Sequence, residues 1–310
     1  MRATYGRFMA TFLLLTGLAA GASAQGKLDL AGLSITHSPF SNLDNLPDNA
    51  PQTLSSFRVR VTQLEAFARV PCKLNEKLLL LVSPQYELTT FGYEQDESFS
   101  GEFSADELHK IQLGLSLTWK LSDKWQLTGF NNTNLSSDFR DGLSGDDLFL
   151  APGVIFSKRV NEHLTMGLGA VASFVFGEQQ IFPILSLRYL SPNEKFFTDI
   201  TFPNLRLSYA VQEKLEVGLL MRIRGNEYNF RNLAIAGSPE STDFIRFSNI
   251  LAGPELTFNM TNHLSLRFSA GININRTYEV YDTDRENIGD ITPENSGFFS
   301  GGLVFRVPTD

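Results

Sequence analysis

The sequence predicts an all-β fold: a closed antiparallel transmembrane β-barrel of 14 strands, with short periplasmic turns and longer extracellular loops. Three observations predict this fold. Apolar and polar residues alternate with a period of two along many segments. Short polar turns alternate with longer polar connections, which is the loop pattern of a membrane barrel. Aromatic residues lie close to the turns, where a boundary between membrane and water would place them.

The first 24 residues have the form of a secretory signal peptide. A basic start precedes an apolar stretch over residues 8–20, and Ala22-Ser23-Ala24 is a small-residue cleavage site. We expect residues 1–24 to be removed on export, which leaves residues 25–310 as a single barrel domain. The only cysteine is Cys72, so an exported chain cannot form an internal disulfide.

Charge and hydropathy narrow the class of protein further. The formal net charge is −8 at pH 7, which argues against nucleic acid as a partner because binding it requires a cationic surface. After the signal peptide no run of about 18 apolar residues is present, so the sequence predicts no transmembrane helix. Any membrane crossing must therefore be made by strands.

The stretch from residue 109 to residue 130 shows the alternation most clearly and predicts a β-hairpin. The apolar face of its first limb carries Ile111, Leu113, Leu115, Leu117, Trp119 and Leu121, and the polar face carries Gln112, Gly114, Ser116, Thr118 and Lys120. We expect the apolar face to contact lipid and the polar face to line the barrel interior.

Variants of the hairpin's short turn recur along the chain. The six turns lie at residues 74–78, 121–125, 160–164, 192–196, 211–215 and 260–264. Longer polar connections join the remaining segments, at residues 40–54, 92–107, 136–146, 225–242 and 282–296. The short turns are therefore expected at the periplasmic end and the long loops at the extracellular end.

The alternating segments give the predicted strands in order. They span residues 28–38, 56–72, 77–90, the two limbs of the 109–130 hairpin, 147–160, 164–176, 181–189, 195–203, 204–211, 215–224, 243–259, 264–278 and 297–307. The second strand changes its apolar phase between Val61 and Leu64, which suggests a bulge. Residues 195–211 are split at Pro203-Asn204, a turn-favouring pair. If these two short strands do not cross the membrane, the count is 12.

Aromatic residues bracket the predicted strands at both ends, which favours a membrane barrel over a soluble sandwich. The set near the short turns is Trp119, Trp125, Phe156, Tyr189, Phe196, Tyr209 and Phe258. The set at the opposite strand ends is Phe91, Tyr93, Phe176, Tyr228, Phe244, Tyr278 and Phe298. Two such girdles indicate a sheet surrounded by lipid, and in lipid a sheet must close because an open edge leaves backbone groups unpaired.

The C-terminal segment Ser300-Gly301-Gly302-Leu303-Val304-Phe305-Arg306-Val307 resembles the assembly signal of bacterial outer-membrane β-barrels, although Pro308-Thr309-Asp310 continues beyond it. This segment and the runs at residues 182–189 and 202–211 carry a resemblance to an uncharacterised family of Gram-negative outer-membrane barrels. This resemblance implies insertion by the barrel assembly machinery and contact with outer-membrane lipid and lipopolysaccharide. It implies no enzymatic activity.

Few residues suggest catalysis, a metal or a cofactor. His163 and His263 occupy turn positions, and His109 and His37 lie near the predicted extracellular rim without a triad in the sequence. The loop at residues 94–107 is acidic and contains no basic residue. It is either a solvated loop or a site where calcium or magnesium bridges to lipopolysaccharide. The sequence therefore predicts no catalytic residue, no resident metal and no cofactor, and an enzyme is not expected.

The inward-facing polar residues are the candidate functional site. If the apolar phase points outward, seven arginines line the lumen: Arg58, Arg60, Arg188, Arg206, Arg222, Arg224 and Arg267. Such a wall favours a channel for passive or selective passage of small polar or anionic solutes. The alternative is that the arginines pair with Glu65, Glu87 and Glu216 and close the lumen, leaving a non-conducting structural or binding barrel that displays its loops.

Overall fold

The computed structural model describes residues 26–44, 58–94, 107–140, 142–175, 178–201, 204–233, 242–282 and 286–309. The predicted signal peptide and most of the acidic loop lie outside these ranges. Nearly all described residues are in strands, and a short 3-10 helix at Gly145–Asp147 is the one helical segment among them. No helix in the described ranges is long and apolar enough to cross a membrane.

Sixteen strand segments follow one another along the chain. They are β1 (Gly26–Asp44), β2 (Arg58–Ala68), β3 (Val70–Lys73), β4 (Leu78–Glu94), β5 (Glu107–Lys120), β6 (Trp125–Ser137), β7 (Leu148–Arg159), β8 (Leu164–Val175), β9 (Glu178–Leu190), β10 (Phe196–Thr201), β11 (Asn204–Gln212), β12 (Leu215–Leu233), β13 (Thr242–Asn259), β14 (Leu264–Tyr281), β15 (Asn287–Pro293) and β16 (Ser296–Thr309). We call each strand position in the barrel wall a stave. Successive staves pair antiparallel, and β1 pairs with β16, so the sheet closes.

The closed sheet has 14 staves, which confirms the predicted fold class. β2 and β3 pair successively with β4, and β15 and β16 pair successively with β14, so each of these two pairs forms one interrupted stave. β10 and β11 pair with each other from Phe196↔Tyr209 to Thr201↔Asn204. The predicted pair of strands is therefore confirmed and the alternative of 12 strands is wrong, although Pro203 itself lies outside the described residues.

Four of the six short turns share one local mechanism. In the 74–78 turn the side-chain oxygen of Asn75 accepts hydrogen bonds from the backbone N–H groups of Lys77 and Leu78, at 2.8 and 3.0 Å. Asn161, Ser122 and Thr261 make the same pair of bonds in their own turns. Since Asn, Ser and Thr side chains readily satisfy turn backbone, the repeated sequence produces the repeated geometry.

The outer surface follows the predicted alternation. Along β5 the odd-numbered apolar residues are exposed and the even-numbered residues are buried. The aromatic residues near the short turns that are exposed at the surface are Trp119, Trp125, Phe156, Phe196, Tyr209 and Phe258. The Trp125 and Phe156 rings stack with centroids 4.7 Å apart. The girdle predicted at the periplasmic end is therefore confirmed.

The extracellular end differs from the prediction in two ways. Tyr228, Phe244 and Phe298 are buried rather than facing lipid, and Phe91, Tyr93 and Tyr278 pack on a buried apolar cluster. That cluster consists of Leu43, Val59, Leu108, Tyr228, Ile245, Val280 and Ile291. The expected bulge in β2 is also absent, since β2 pairs with β4 in unbroken register. Val59 packs in this cluster and Val61 packs against it, which explains the change in apolar phase.

Candidate functional site

Five of the seven predicted arginines lie on the inner wall of the barrel: Arg188, Arg206, Arg222, Arg224 and Arg267. Arg58 and Arg60 depart from the expectation. They lie on the exposed face of β2 at its extracellular end, because the intervening Val59 occupies the inward position. Arg58 pairs with Glu94 at 2.6 Å. The guanidinium groups of Arg58 and Arg60 both lie over the Phe40 ring.

Acidic residues compensate the inward arginines in the periplasmic half of the barrel. We call the following six residues the charged belt: Asp29, Glu216, Glu255, Arg206, Arg267 and Arg306. Asp29 accepts hydrogen bonds from Arg306 Nε at 2.8 Å and Arg267 Nη2 at 3.0 Å. Glu255 lies 2.8 Å from Arg206, and Glu216 lies 3.1 Å from Arg306. Three acids and three arginines make the belt formally neutral.

Side chains meet across the lumen within this belt. Asp29 lies on β1 and Arg206 on β11, five staves apart around the wall, yet their charged atoms are 3.9 Å apart. Asp29 reaches the interior because the β1 register shifts between Asp29 and Ala31. The belt therefore narrows the lumen near its periplasmic end.

Side chains of β12 cross the interior in the extracellular half. Tyr228 Oη donates to Glu87 Oε1 on β4 at 3.3 Å, and Lys110 lies 3.4 Å from the same carboxylate. Arg224 donates to Gln63 and lies 3.5 Å from Glu65, both on β2. These side chains therefore bridge the interior between nearly opposite staves, while the β12 backbone stays paired with β13 as far as Asn229↔Phe244. We call residues 222–229 of β12 the crossing segment.

The crossing segment ends against β6 and the adjoining 3-10 helix. Asn229 pairs with Ser137 in parallel, and Ser137 Oγ donates to the Asn229 carbonyl at 3.0 Å. Asn229 Nδ2 donates to the buried Asp147 carboxylate at 2.8 Å. These bonds satisfy groups on the edge of β12 that β11 does not pair beyond Met221, while the other edge stays paired with β13.

Sequence reasoning missed one fully buried arginine, Arg276. Asn275 adopts a left-handed conformation with φ 52° where the β13–β14 register shifts, so it is exposed and Arg276 turns inward. Arg276 donates to Ser41 and, at 2.8 Å, to the Glu294 carbonyl. The available signal was the asparagine itself, which tolerates positive φ better than most residues.

The periplasmic mouth contains a cavity of about 410 Å³, which we call the vestibule. Five basic residues line it: Lys73, Lys77, Lys120, Lys124 and Arg159. Two of them are compensated, since Lys73 pairs with Glu76 at 2.8 Å and Lys120 with Asp123 at 3.1 Å. The hydrogen bond from Lys73 lowers the pKa of the Glu76 carboxyl.

The remaining vestibule cations, Lys77, Lys124 and Arg159, have no acidic partner among the described residues. With two acids against five bases, the vestibule carries a formal excess of three positive charges. The vestibule therefore attracts anions to the periplasmic mouth, whereas the charged belt is balanced. Sequence reasoning missed it because the cations come from three different turns and strand ends.

Part of the inner face of β6–β9 is apolar. We call this surface the inner apolar wall: Phe130, Ala151, Ile155, Val171, Phe182 and Ile184, all buried. Glycines let its side chains pack closely, since a Cβ on Gly153 would lie 2.1 Å from the Phe130 ring. At its β5–β6 end three buried polar atoms have no hydrogen-bond partner among the described residues: Ser116 Oγ, Asn132 Nδ2 and Asn134 Oδ1.

His37 and His109, near the extracellular rim, do not belong to a catalytic set of side chains in the described structure. His37 and Ser38 are consecutive strand residues and face opposite sides of β1, and His37 Nδ1 contacts Thr62 Oγ1 at 2.9 Å. His109 Nδ1 contacts Tyr86 Oη at 2.8 Å. In the described ranges no three His, Cys, Asp or Glu residues are grouped to hold a metal ion.

Several solved structures are similar to the chain over most of its length. An outer membrane channel from Pseudomonas putida F1 is 10% identical, with a TM-score of 0.40 over 93% of this chain and 100% of that one. The Pseudomonas putida toluene transporter TodX is 10% identical, at 0.36 over 92% and 90%. The NanC porin is 10% identical, at 0.35 over 89% and 100%. No curated protein matches the chain.

Proposed function

The chain belongs to the family described as a domain of unknown function (DUF6268), whose model matches residues 20–304, and we propose that it is an outer-membrane channel for small anionic solutes. The observation that carries this proposal is the vestibule, a cavity of about 410 Å³ with three uncompensated cations. Fixed cations at a pore mouth raise the local concentration of anions. The inward arginines of the balanced belt, Arg206 and Arg267, add hydrogen-bond donors but little net charge.

Ion selectivity in a planar bilayer tests the anionic part of the proposal. In a potassium chloride gradient the reversal potential of the wild-type channel should indicate a preference for chloride. The triple variant Lys77→Gln, Lys124→Gln, Arg159→Gln should lose most of that preference. The matched control is Lys195→Gln with Lys214→Gln, which removes two exposed turn cations outside the vestibule. Equal selectivity of the triple variant and the control would refute the role of the vestibule.

A second candidate function is a non-conducting structural or binding barrel. The observation that favours it is the crossing segment, which joins β12 to β2, β4 and β6 and closes the extracellular half. The variant Arg224→Met with Tyr228→Phe removes the side-chain bonds that hold the crossing segment. A gated channel should then open more often in the bilayer. A correctly folded variant that stays silent would support the non-conducting barrel.

We also propose the cellular setting. Export through residues 1–24, outer-membrane insertion by the barrel assembly machinery, and contact with lipopolysaccharide are supported by the exposed apolar belt and by β16. In β16 the aromatic residues Phe299 and Phe305 face outward, on the same stave face as Leu303. Fractionation of a Gram-negative host should place the protein in the outer membrane, and recovery from the soluble periplasm would refute this setting.

A further inference from the structure

Arg276 is a buried cation that has no acidic partner among the described residues. Its side chain is 1% exposed. Its two Nη groups donate hydrogen bonds to neutral oxygens, which are Ser41 Oγ, the Glu294 carbonyl, Ser296 Oγ and Tyr278 Oη. Its Nε–H has no acceptor in the described ranges. Because a guanidinium group stays protonated in proteins, neutral acceptors satisfy its hydrogen bonds but leave its charge in place.

The acidic side chains in this half of the interior do not supply the missing counterion. Glu65 and Glu87 already pair with other basic residues on the inner wall. Glu294 contacts Arg276 only through its backbone carbonyl, and its exposed carboxylate accepts a hydrogen bond from Asn42 Nδ2 at 2.9 Å. A buried charge without a counterion is costly. The described part of the chain therefore leaves one positive charge uncompensated in the extracellular half of the barrel.

A small cavity adjoins Arg276 inside the barrel. Its volume is about 30 Å³, and a cavity of this size holds about one or two particles as large as a water molecule. All residues that line it lie in the described ranges, and none of them is acidic. The charged and amide side chains of the lining are Arg224, Arg276, Gln63, Asn249 and Asn273. The cavity is therefore polar, small and positively charged.

The cavity is covered by apolar side chains on its extracellular side. Val61, Phe91 and Phe247 line it and pack against the buried apolar cluster at this end of the barrel. Gln63 and Asn249 are the next inward residues of β2 and β13 towards the periplasm, and they also line the cavity. An ion in the cavity would be shielded from extracellular water, which strengthens its attraction to a nearby guanidinium group.

We propose that this cavity, which we call the halide site, binds one halide ion such as chloride as the counterion of Arg276. The Nε–H of Arg276 is the donor that lacks an acceptor among the described residues. Arg224 adds a second guanidinium group to the lining, although Glu65 compensates its charge at 3.5 Å. Carboxylates, phosphate and sulfate contain several heavy atoms and exceed the volume of the cavity. The ligand class is therefore a monatomic anion.

The halide site differs from the vestibule in position and in consequence. The vestibule lies at the periplasmic mouth, whereas the halide site lies in the extracellular half of the barrel. An ion that binds the folded barrel and not the unfolded chain raises the stability of the fold. The halide site therefore does not depend on anion passage, and it can be tested with the purified barrel in detergent.

Urea unfolding in two sodium salts of equal ionic strength tests the halide site. Gluconate is a monovalent anion that is too large for the cavity, and chloride fits it. Chloride should raise the ratio of folded to unfolded wild-type barrel about tenfold or more relative to gluconate, and the effect should saturate. Bromide should replace chloride. Tryptophan fluorescence reports the unfolding, and equal unfolding curves in chloride and gluconate would overturn the proposal.

Two variants test the role of the Arg276 charge. Arg276→Met removes the charge, keeps an unbranched side chain and should abolish the difference between chloride and gluconate. Asn273→Asp places a fixed carboxylate in the cavity lining. It can keep both hydrogen bonds of Asn273, because Asn249 Nδ2 still donates to it and the Ser38 hydroxyl can donate instead of accept. Asn273→Asp should be as stable in gluconate as in chloride, and more stable than wild type in gluconate.

The result for Asn273→Asp stands even if Arg276→Met does not fold, which heat-dependent migration on a denaturing gel would show. A folded Arg276→Met or Asn273→Asp barrel that keeps the full chloride effect would overturn the proposal.

The vestibule variant Lys77→Gln, Lys124→Gln, Arg159→Gln is the matched control. It removes three cations outside the halide site and should keep the full chloride effect. Loss of the effect in this variant, with retention in Arg276→Met, would assign chloride binding to the vestibule and overturn the halide site. Retention of the effect in a barrel that shows no anion selectivity would support the halide site and count against the proposed channel.

Diffraction from crystals grown in sodium bromide locates the ion. The anomalous signal of bromide should give a peak beside Arg276 in the wild-type barrel and no peak there in Asn273→Asp. A wild-type barrel without this peak would show that water alone occupies the cavity. A peak without any effect of chloride on unfolding would show binding at crystal concentration only. Either result would overturn the proposal.

Discussion

The charged belt and the inner apolar wall occupy the same barrel interior and are built in opposite ways. The belt draws Asp29, Arg206 and Arg306 from staves that are distant in sequence, and every charge has a partner. The wall comes from four consecutive staves, and its glycines bring apolar side chains into close contact. The inner surface of this lumen is therefore not uniform. One side is held by compensated charge and the other by packing.

The largest loss of stability is expected when Asp29, which contacts all three arginines of the belt, is replaced. Asp29→Ala leaves Arg206, Arg267 and Arg306 with only two acids, and breaking a buried ion-pair set in this way costs roughly 3 to 5 kcal/mol. Urea unfolding followed by tryptophan fluorescence measures the change. The control Asp123→Ala removes a carboxylate whose side chain is 97% exposed on a turn. Equal unfolding curves for the two variants would show that the belt does not stabilise the barrel.

A smaller effect is expected from a cavity in the inner apolar wall. Ile184 is 0% exposed, so Ile184→Ala should destabilise the barrel by about 3 kcal/mol through lost contacts and a residual cavity. The same unfolding measurement applies. Ile181→Ala is the matched control, because Ile181 is an isoleucine of the same strand that faces outward and is 68% exposed. If both variants lose the same stability, the wall is not a packed core.

The smallest loss of stability is expected for a substitution in the crossing segment. Tyr228→Phe removes one hydrogen bond to Glu87 and keeps the buried ring, so the loss should be about 1 kcal/mol. Glu87 retains Lys110, which limits the cost. Tyr209→Phe, at an exposed girdle position, is the control and should leave stability unchanged. A loss as large as that of Asp29→Ala would mean that the crossing segment, not the belt, holds the interior together.

Much of the fold could be read from the sequence because its causes are local. The polar turns carry their own hydrogen-bond acceptors, as at Asn75, and the alternation along β5 directly gives the two faces of a strand. The interior site could be read only in part. Bulges at Asn275 and after Asp29 change which residue faces inward, and a period-two pattern does not reveal them.

The strand segments, their short turns and the apolar outer surface follow from the sequence alone, since each depends on neighbours along one chain segment. The choice of 14 strands over 12, the interior cluster around Val59 and Tyr228, the contact of Arg206 with Asp29 across the lumen, and the pairing of β12 with β6 required the tertiary structure. These features depend on side chains from opposite staves meeting in space. Their free energy comes from burial and charge compensation between distant segments, which no local pattern encodes.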